Sequence, residues 1–431
     1  MELRNAAEYT LKTLTSLGAD QADCWVSGGR TDELNYDAGK FTLMRTTFDS
    51  NLQIKAIVGG KKGVFSTNKL DKDSIYMAAK TALEAARASE PDEAEGIAEF
   101  IGEHDFFDGV REPDLEKLYD RFAEMTDELK TNYPKTKITD SNARFTYGDS
   151  LFMNTNGTKV LAGTGFYTLG ATIGSKDGDK VSAMNGIGYS SYSLDAPILD
   201  FALNRRIVEE SERQIDTVPV AGKFTGKLLV SPGCLTDLLG AIFSACLYDA
   251  HLIAGDSPWK DKLGKQVAAT SLSVSLDPLD ARMVGGDRLT GDGYLAEKQD
   301  AIKNGILAGF ALSRYASKKT GFKRGGNTSG FYVVEPGCMT YDELLGSTER
   351  GILLSRFSGG QPSLNGDISG VAKNSFLIEK GRIGAAVSET MISGNLLEML
   401  HQITGIGSEL ICDGSSVMPW IVFDGVTISG K

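Results

Sequence analysis

Histidine is scarce in this sequence: His104, His251 and His401 are all that 431 residues contain. A catalytic zinc needs about three protein ligands, usually His with Glu, Asp or Cys, and a Glu to take a proton from bound water. No two of these histidines share a helix at ligand spacing, and no H-E-x-x-H occurs. From Arg213 to Ala296 there is no glutamate. His251 with Asp249 or Asp256 is the best local ligand set, and one histidine among aspartates is more often a surface feature. Cysteine is sparse too. Cys24, Cys234, Cys246, Cys338 and Cys412 are odd in number, widely spaced and free of any C-x-x-C. That excludes a zinc ribbon and argues against a secreted disulfide framework; reduced thiols in a cytosol fit better. A G-x-S-x-G elbow is missing. Cys412 with His401 could be drawn as a thiol–imidazole pair, but a partly buried cysteine beside an unrelated histidine is the plainer reading.

Basic runs are also lacking. Net charge is −12 and no five basic residues are consecutive, which disfavours nucleic acid. The longest apolar stretch, around Gly240–Leu247, falls short of the roughly 20 residues of a membrane span. The N-terminus shows no apolar signal core, so no secretory leader is expected. Gly163-Thr-Gly165 does not extend to a G-x-G-x-x-G and reads as hairpin glycines. The Asp287 and Asp292 stretch lacks EF-hand spacing and its closing Glu.

What is abundant is glycine, 50 residues against 11 prolines, where average usage is about 7%. Many short strands joined by turns explain it. Ala7, Leu11, Leu14 and Leu17 outline a first helix stopped by Gly18. Short strands are expected at 23–26, 41–45, 52–58 and 63–66, with turns at Asp37-Ala38-Gly39 and Gly59-Gly60. A second helix begins near Asp71. Residues 89–116 are strongly acidic, with Arg111 the only counter-charge, and read as a solvated excursion. A third helix covers about 113–132, and a β-meander with turns at Asn156-Gly157, Gly163–Gly165 and Asp177-Gly178 covers 135–192. A fourth helix carries Leu199, Leu203, Ile207 and Val208. Val218–Lys223 looks like a linker. Beyond it, Lys227–Val230 is a strand, and Ser231-Pro232 caps a helix with Leu235, Leu238, Leu239, Ile242, Phe243 and Cys246 on its apolar side. The expected class is α+β. The N-terminal domain, 1–217, has two sub-regions, about 1–88 and 113–217, in which helices flank antiparallel strands. The C-terminal domain, 223–431, is rich in antiparallel strands.

Several stretches carry a resemblance in the order in which they occur. They are Gly59–Asn68 leading into an Ala-rich helix, Asn154–Gly157, Gly325–Gly337 followed by Asp342–Leu345, Phe357–Gln361, Ser375–Ile383 and Ser393–Leu400. Together they span nearly the whole chain, which resembles the TldD/PmbA proteins, some of them described as modulators of DNA gyrase. The resemblance implies a cytosolic metallopeptidase system of two homologous chains acting on unfolded peptides. TldD-type chains carry H-E-x-x-x-H on a helix early in the C-terminal domain and a late cysteine ligand; PmbA-type chains, also called TldE, lack the histidine motif.

In this sequence the motif positions fall on Gly240, Ala241 and Ala245, and Cys412 matches the late cysteine. Neither His nor Glu occurs between Ser231 and Ala250. The resemblance is therefore to the PmbA type, with no catalytic residue, metal ligand or cofactor of its own. The expected partner is a TldD-type homologue or a second copy, and the expected substrate is an unfolded peptide, without nucleic acid or membrane. Asn327, Thr328, Ser329, Phe357, Ser358, Gly359 and Gly360 are candidate peptide or partner contacts, with strand edges near Asn327–Val334 available to an extended chain. Two alternatives stand beside this reading: a peptidase active through an unrecognised metal or Cys412, and a regulator of gyrase.

Overall fold

The structure is a computed structural model and describes every residue except Ala38, Gln361 and Lys431. The chain begins with α1 (Leu3–Ser16), β1 (Gln21–Asp37), β2 (Lys40–Val58), β3 (Lys61–Thr67), α2 (Lys72–Ala88), β4 (Glu103–Gly109) and α3 (Leu115–Asn132). It continues through β5 (Thr136–Asn154), β6 (Lys159–Asp177), β7 (Lys180–Val181), β8 (Asn185–Ser191) and α4 (Asn204–Arg213). A second series follows: β9 (Thr217–Pro219), β10 (Lys223–Val230), α5 (Pro232–Cys246), α6 (Asp249–Ala254), β11 (Val274–Leu276), β12 (Gln299–Lys303), β13 (Ile306–Leu307) and α7 (Arg314–Thr320). Then come β14 (Tyr332–Val334), α8 (Tyr341–Gly346), β15 (Arg350–Leu354), β16 (Arg356–Gly359), β17 (Asp367–Lys373) and β18 (Phe376–Glu379). The series closes with β19 (Arg382–Ser388), β20 (Met391–Asn395), α9 (Leu396–His401), β21 (Ile403–Cys412) and β22 (Val417–Ser429). The architecture is α+β, as expected.

The first series forms an 8-stranded sheet in the order β3-β2-β1-β5-β6-β4, with β7 and β8 also on β6. Its strands are far longer than expected. The expected segments 41–45 and 52–58 are one strand, β2, paired with β1 along its length. One face of this sheet is covered by helices. Cys24, Ile54 and Met153 meet α1 and α2, whose small Ala78, Ala79 and Ala82 let the helix sit close. Phe145 and Tyr167 meet α3 and α4 through Phe122 and Val208. The caps follow the sequence: Asp71 accepts the Ser74 N–H at 2.9 Å and Asp114 accepts that of Lys117 at 2.9 Å.

The opposite face is largely polar, and polar residues interrupt the apolar alternation that sequence reading relies on. Cross-strand partners lie on one face, so Glu33 groups with Arg45 and Arg144, and Thr31 with Thr47 and Thr146.

Several expectations change here. The expected fourth helix is split: a 3₁₀ turn at Ile198–Asp200 is separated from α4 by Ala202, whose φ of 49° breaks the helix. Gly163–Gly165 is no turn but lies within β6, where a Cβ at Gly165 would strike the Val110 carbonyl. The Asn156-Gly157, Asp177-Gly178 and Gly59-Gly60 turns are present; the one at Asp37–Gly39 includes Ala38, outside the described residues.

The acidic stretch lies at the surface, with most of its carboxylates exposed, but it is tied down along its length. Within it, β4 pairs parallel with β6. Asp92 accepts from Lys319 at 2.7 Å and Tyr315 at 2.9 Å, Asp108 takes the Arg288 guanidinium, Glu99 takes the Tyr294 hydroxyl, and Glu95 pairs with Lys62. The Arg314 guanidinium occupies the space where Gly96 has no Cβ and donates to the Ala94 carbonyl at 3.2 Å. Three of these four acidic anchors, and Arg314, tie the segment to the second half of the chain.

That second half builds a 14-stranded sheet, whose main path is β13-β12-β11-β14-β22-β10-β15-β18-β19-β9. β9 occupies part of the expected linker and pairs parallel with β19. The largest core packs α5 on β10 and β22 through Leu235, Leu239, Phe243, Ile421 and Ile428. Pro232–Ala254 is apolar enough, at 23 residues and mean hydropathy 1.3, to meet the length and composition of a membrane span, a longer stretch than the sequence suggested. The two helices break at Leu247–Tyr248, and the apolar stripe of α5 fills this core, which makes it a core helix.

Candidate functional site

Helix α5 is started by Ser231, whose hydroxyl caps the Cys234 N–H and donates to the Ser355 carbonyl at 3.1 Å. Its inner side is buried. Gly240, Ala241 and Ala245 lie on the other side, half-buried, next to exposed Asp237 and Ser244. A Cβ on Gly240 would meet only the Tyr332 ring, at 3.8 Å. Tyr332 and Tyr248 share a hydroxyl contact of 3.2 Å at this end, and Tyr248 also donates to the Ser329 carbonyl. At the other end, the Thr236 and Ser416 hydroxyls lie 2.9 Å apart. Although Asp237 lies at the surface, partial desolvation of its carboxyl raises it above its ordinary range, opposed by Arg356 and reinforced by Asp413.

Zinc does not fit this donor set. Asp237 is the one carboxylate on α5, and among the described residues no three His, Cys, Asp or Glu side chains converge on a point. Asp249, one of the sequence candidates, is committed to the Ser313 hydroxyl and N–H. His251 faces Asp256 at 3.0 Å on the surface. Cys412 lies against the Arg282 carbonyl and accepts the Gly414 N–H, both at 3.4 Å. Its hydrogen-bonding neighbours do not include His401, and burial pushes its thiol up from the ordinary range, against thiolate formation.

The candidate contact residues separate into two groups. Asn327 is 1% exposed and donates to the Leu276 and Glu297 carbonyls, so it ties loops together from inside. Thr328 and Ser329 are half-buried beside it. The strand that follows, Tyr332–Val334, is no edge: β14 lies between β11 and β22. The expectation of an open edge there fails because β22 runs on past it. Phe357, Ser358 and Gly359 belong to β16, which among the described residues pairs with β17 alone, so its second edge has no strand partner beyond the contact that Phe357 makes with α5. Ser358, Gly359 and Gly360 are exposed; Gln361, part of the same motif, lies outside the described residues. β16 runs beside α5, with the Phe357 N–H on the Cys234 thiol.

Sequence reading missed the cavity of about 470 Å³ between the two halves, lined by Phe201, Arg206 and Glu210 from one side and Ser231, Gly233 and Asp413 from the other. Arg206 holds Glu210 at 2.7 Å and lies over the rings of Tyr341 and Trp420. Nothing in the spacing of these residues signals the meeting; only the wrapping of one half on the other brings them together.

The fold and this face define an α+β protein in which α5 gathers no metal-ligand cluster among the described residues and lies beside β16. Residues 223–430 match the PmbA/TldA metallopeptidase C-terminal domain and residues 22–86 match PmbA/TldA metallopeptidase domain 1. Metalloprotease PmbA of Escherichia coli O157:H7 is 25% identical over 94% of this chain and 91% of its own length. The PmbA homologue of Haemophilus influenzae is 26% identical over 100% and 96%. The same fold is seen in TldE from Thermococcus kodakarensis, with a TM-score of 0.87 at 18% identity over 99% of this chain and 100% of that one. A chain from Bacteroides thetaiotaomicron, named for a proposed modulation of DNA gyrase, gives 0.86 at 21% identity over 99% of both chains. The chain belongs to the PmbA/TldD metallopeptidase family.

Proposed function

We propose that this chain is the metal-free subunit of a PmbA/TldD-type peptidase assembly and supplies part of the peptide-binding wall. The observation that carries the reading is the half-exposed face of α5, which holds Gly240, Ala241 and Ala245 where the resemblance puts His, Glu and His in catalytic relatives. A homologous partner supplies the metal and the general base. An extended, unfolded peptide adds to the open edge of β16 at Ser358–Gly360. Backbone pairing there tolerates many sequences and lays the peptide beside α5. Asn327 keeps the floor of this wall in place instead of touching the peptide. The assembly works in the cytosol, in keeping with five cysteines that are all unpaired.

The test combines the purified chain with a homologue bearing H-E-x-x-x-H and follows cleavage of an unfolded peptide. Alone, the chain is expected to hold no stoichiometric zinc and to leave the peptide intact. The mixture is expected to cleave it and to stop on chelation. Zinc bound one-to-one by the isolated chain, with hydrolysis to match, overturns the proposal.

A further inference from the structure

The open edge with the greatest exposed length in the first sheet is that of β2. Its partner β3 reaches only from Val58 to Leu52, where Leu52 faces Thr67. From Thr42 to Asp49 every residue of β2 is exposed, yet this stretch remains paired to β1 on its other side. It carries Leu43, Met44 (66% exposed) and Phe48 (76% exposed). Proteins ordinarily blunt such an edge with proline, a bulge or inward-pointing charge; β2 has no proline, and its register break lies at its start, across from Asn35/Tyr36.

The charges on the edge are self-complementary. Arg45 donates its Nε to Glu33 at 2.8 Å, and its two terminal nitrogens have no hydrogen-bond partner among the described residues. Asp49 has no ion pair or hydrogen-bonded cation among the described residues. Antiparallel pairing of the stretch with itself about Thr47 puts Arg45 opposite Asp49 twice. On the other face it sets each Phe48 opposite Thr46 and diagonal to Met44 and Phe48 of the second copy, within reach for large side chains. The overlap then runs from Leu43 to Asn51 and ends where β3 takes over the edge. A register shifted by one residue on either chain would lose the charge match and turn the side chains to the wrong faces.

We infer that β2 is a dimer-forming edge, pairing antiparallel with β2 of a second copy of this chain about a two-fold axis at Thr47. The inference rests on the reading of the chain as part of an assembly and names the surface and the partner. The pairing joins two 8-stranded sheets into one continuous sheet with its polar faces on one side.

Sedimentation of the full chain at micromolar concentration, with hydrogen exchange read by peptide, tests it without any variant. A dimer is expected, with amides in 43–51 gaining protection as concentration rises. A monomer, or a dimer with those amides unchanged, overturns the inference. In a Cys338→Ser background, Thr47→Cys is expected to cross-link on mild oxidation, because directly opposed residues lie within disulfide range. Asp49→Cys is expected not to, since its counterpart is displaced along the strand. Equal cross-linking of both overturns the register. Phe48→Pro, which removes an N–H that points away from β1 to the open edge, should weaken dimerisation at least about tenfold while leaving the β1–β2 ladder intact. None of these readouts uses metal or hydrolysis. An assembly formed only with a different homologue would sink the self-pairing and leave the proposed function standing.

Discussion

Residues 89–116 carry eleven carboxylates, while α5 carries one charged side chain, Asp237, between 232 and 246. Composition alone assigns the first to solvent and the second to the interior. In the fold the acidic segment is pinned by cations and hydroxyls from the other half of the chain, and α5 leaves one side partly open. The difference teaches that charge density reports exposure but not anchoring, which depends on counter-charges elsewhere in the fold. Here Arg288, Arg314 and Lys319 lie some two hundred residues downstream in sequence. Small side chains, in turn, mark either close packing or an open surface, and only the neighbours distinguish the two.

The contrast is most sharply broken on the buried side of α5. Phe243 is fully buried and packs edge-on against Tyr332, with ring centroids 5.3 Å apart. Phe243→Ala is expected to cost about 3–5 kcal/mol in urea unfolding. Next comes Gly96→Val, which puts a branched side chain into the space of the Arg314 guanidinium; overpacking of this kind costs about 1–3 kcal/mol. Faster proteolysis within 89–100 should accompany it, because the segment loses its anchor. On the open side of α5 the sign reverses. Gly240→Ala gains a contact at ordinary distance in a helix interior and is expected to stabilise the chain by about 0.5–1 kcal/mol in the same unfolding assay. If Gly240→Ala destabilises, that side is packed rather than open.

The smallest effect concerns pH. The Lys319 ammonium holds the Asp92 carboxyl at about 2, helped by the Ala94 N–H and the Tyr315 hydroxyl. A folded pKa below the unfolded value means that the contribution is complete above about pH 4 and fades as pH falls through about 2. Hydrogen exchange in 89–96 should therefore rise over that window, and Asp92→Asn should remove the pH dependence while raising exchange at neutral pH.

Local signals in the sequence were read well. Asp71 and Ser231 start helices where their side chains predict, and Gly18, with φ 98°, follows the end of α1. The long strands were not, since a sheet with one polar face gives a broken alternation: Ser27 to Glu33 carries no apolar residue at all. β4 was hidden for a different reason, because a parallel edge strand of charged residues has no periodic apolar mark. At the candidate site, the lack of His and Glu between Ser231 and Ala250 was legible because it depends on residue identity alone. That β14 is internal while β16 is an edge was not, because strand order is a property of the assembled sheet.

The short strand β9 covers the edge of β19 at Ala386–Ser388, although it lies upstream of β10 in the stretch that joins the two sheets. A fragment begun at Lys223 would strip that cover and leave Ala386 and Val387, both buried in the intact chain, at a bare margin. Anyone dividing the gene for separate expression should cut upstream of Thr217, so that the C-terminal piece keeps the strand that seals it.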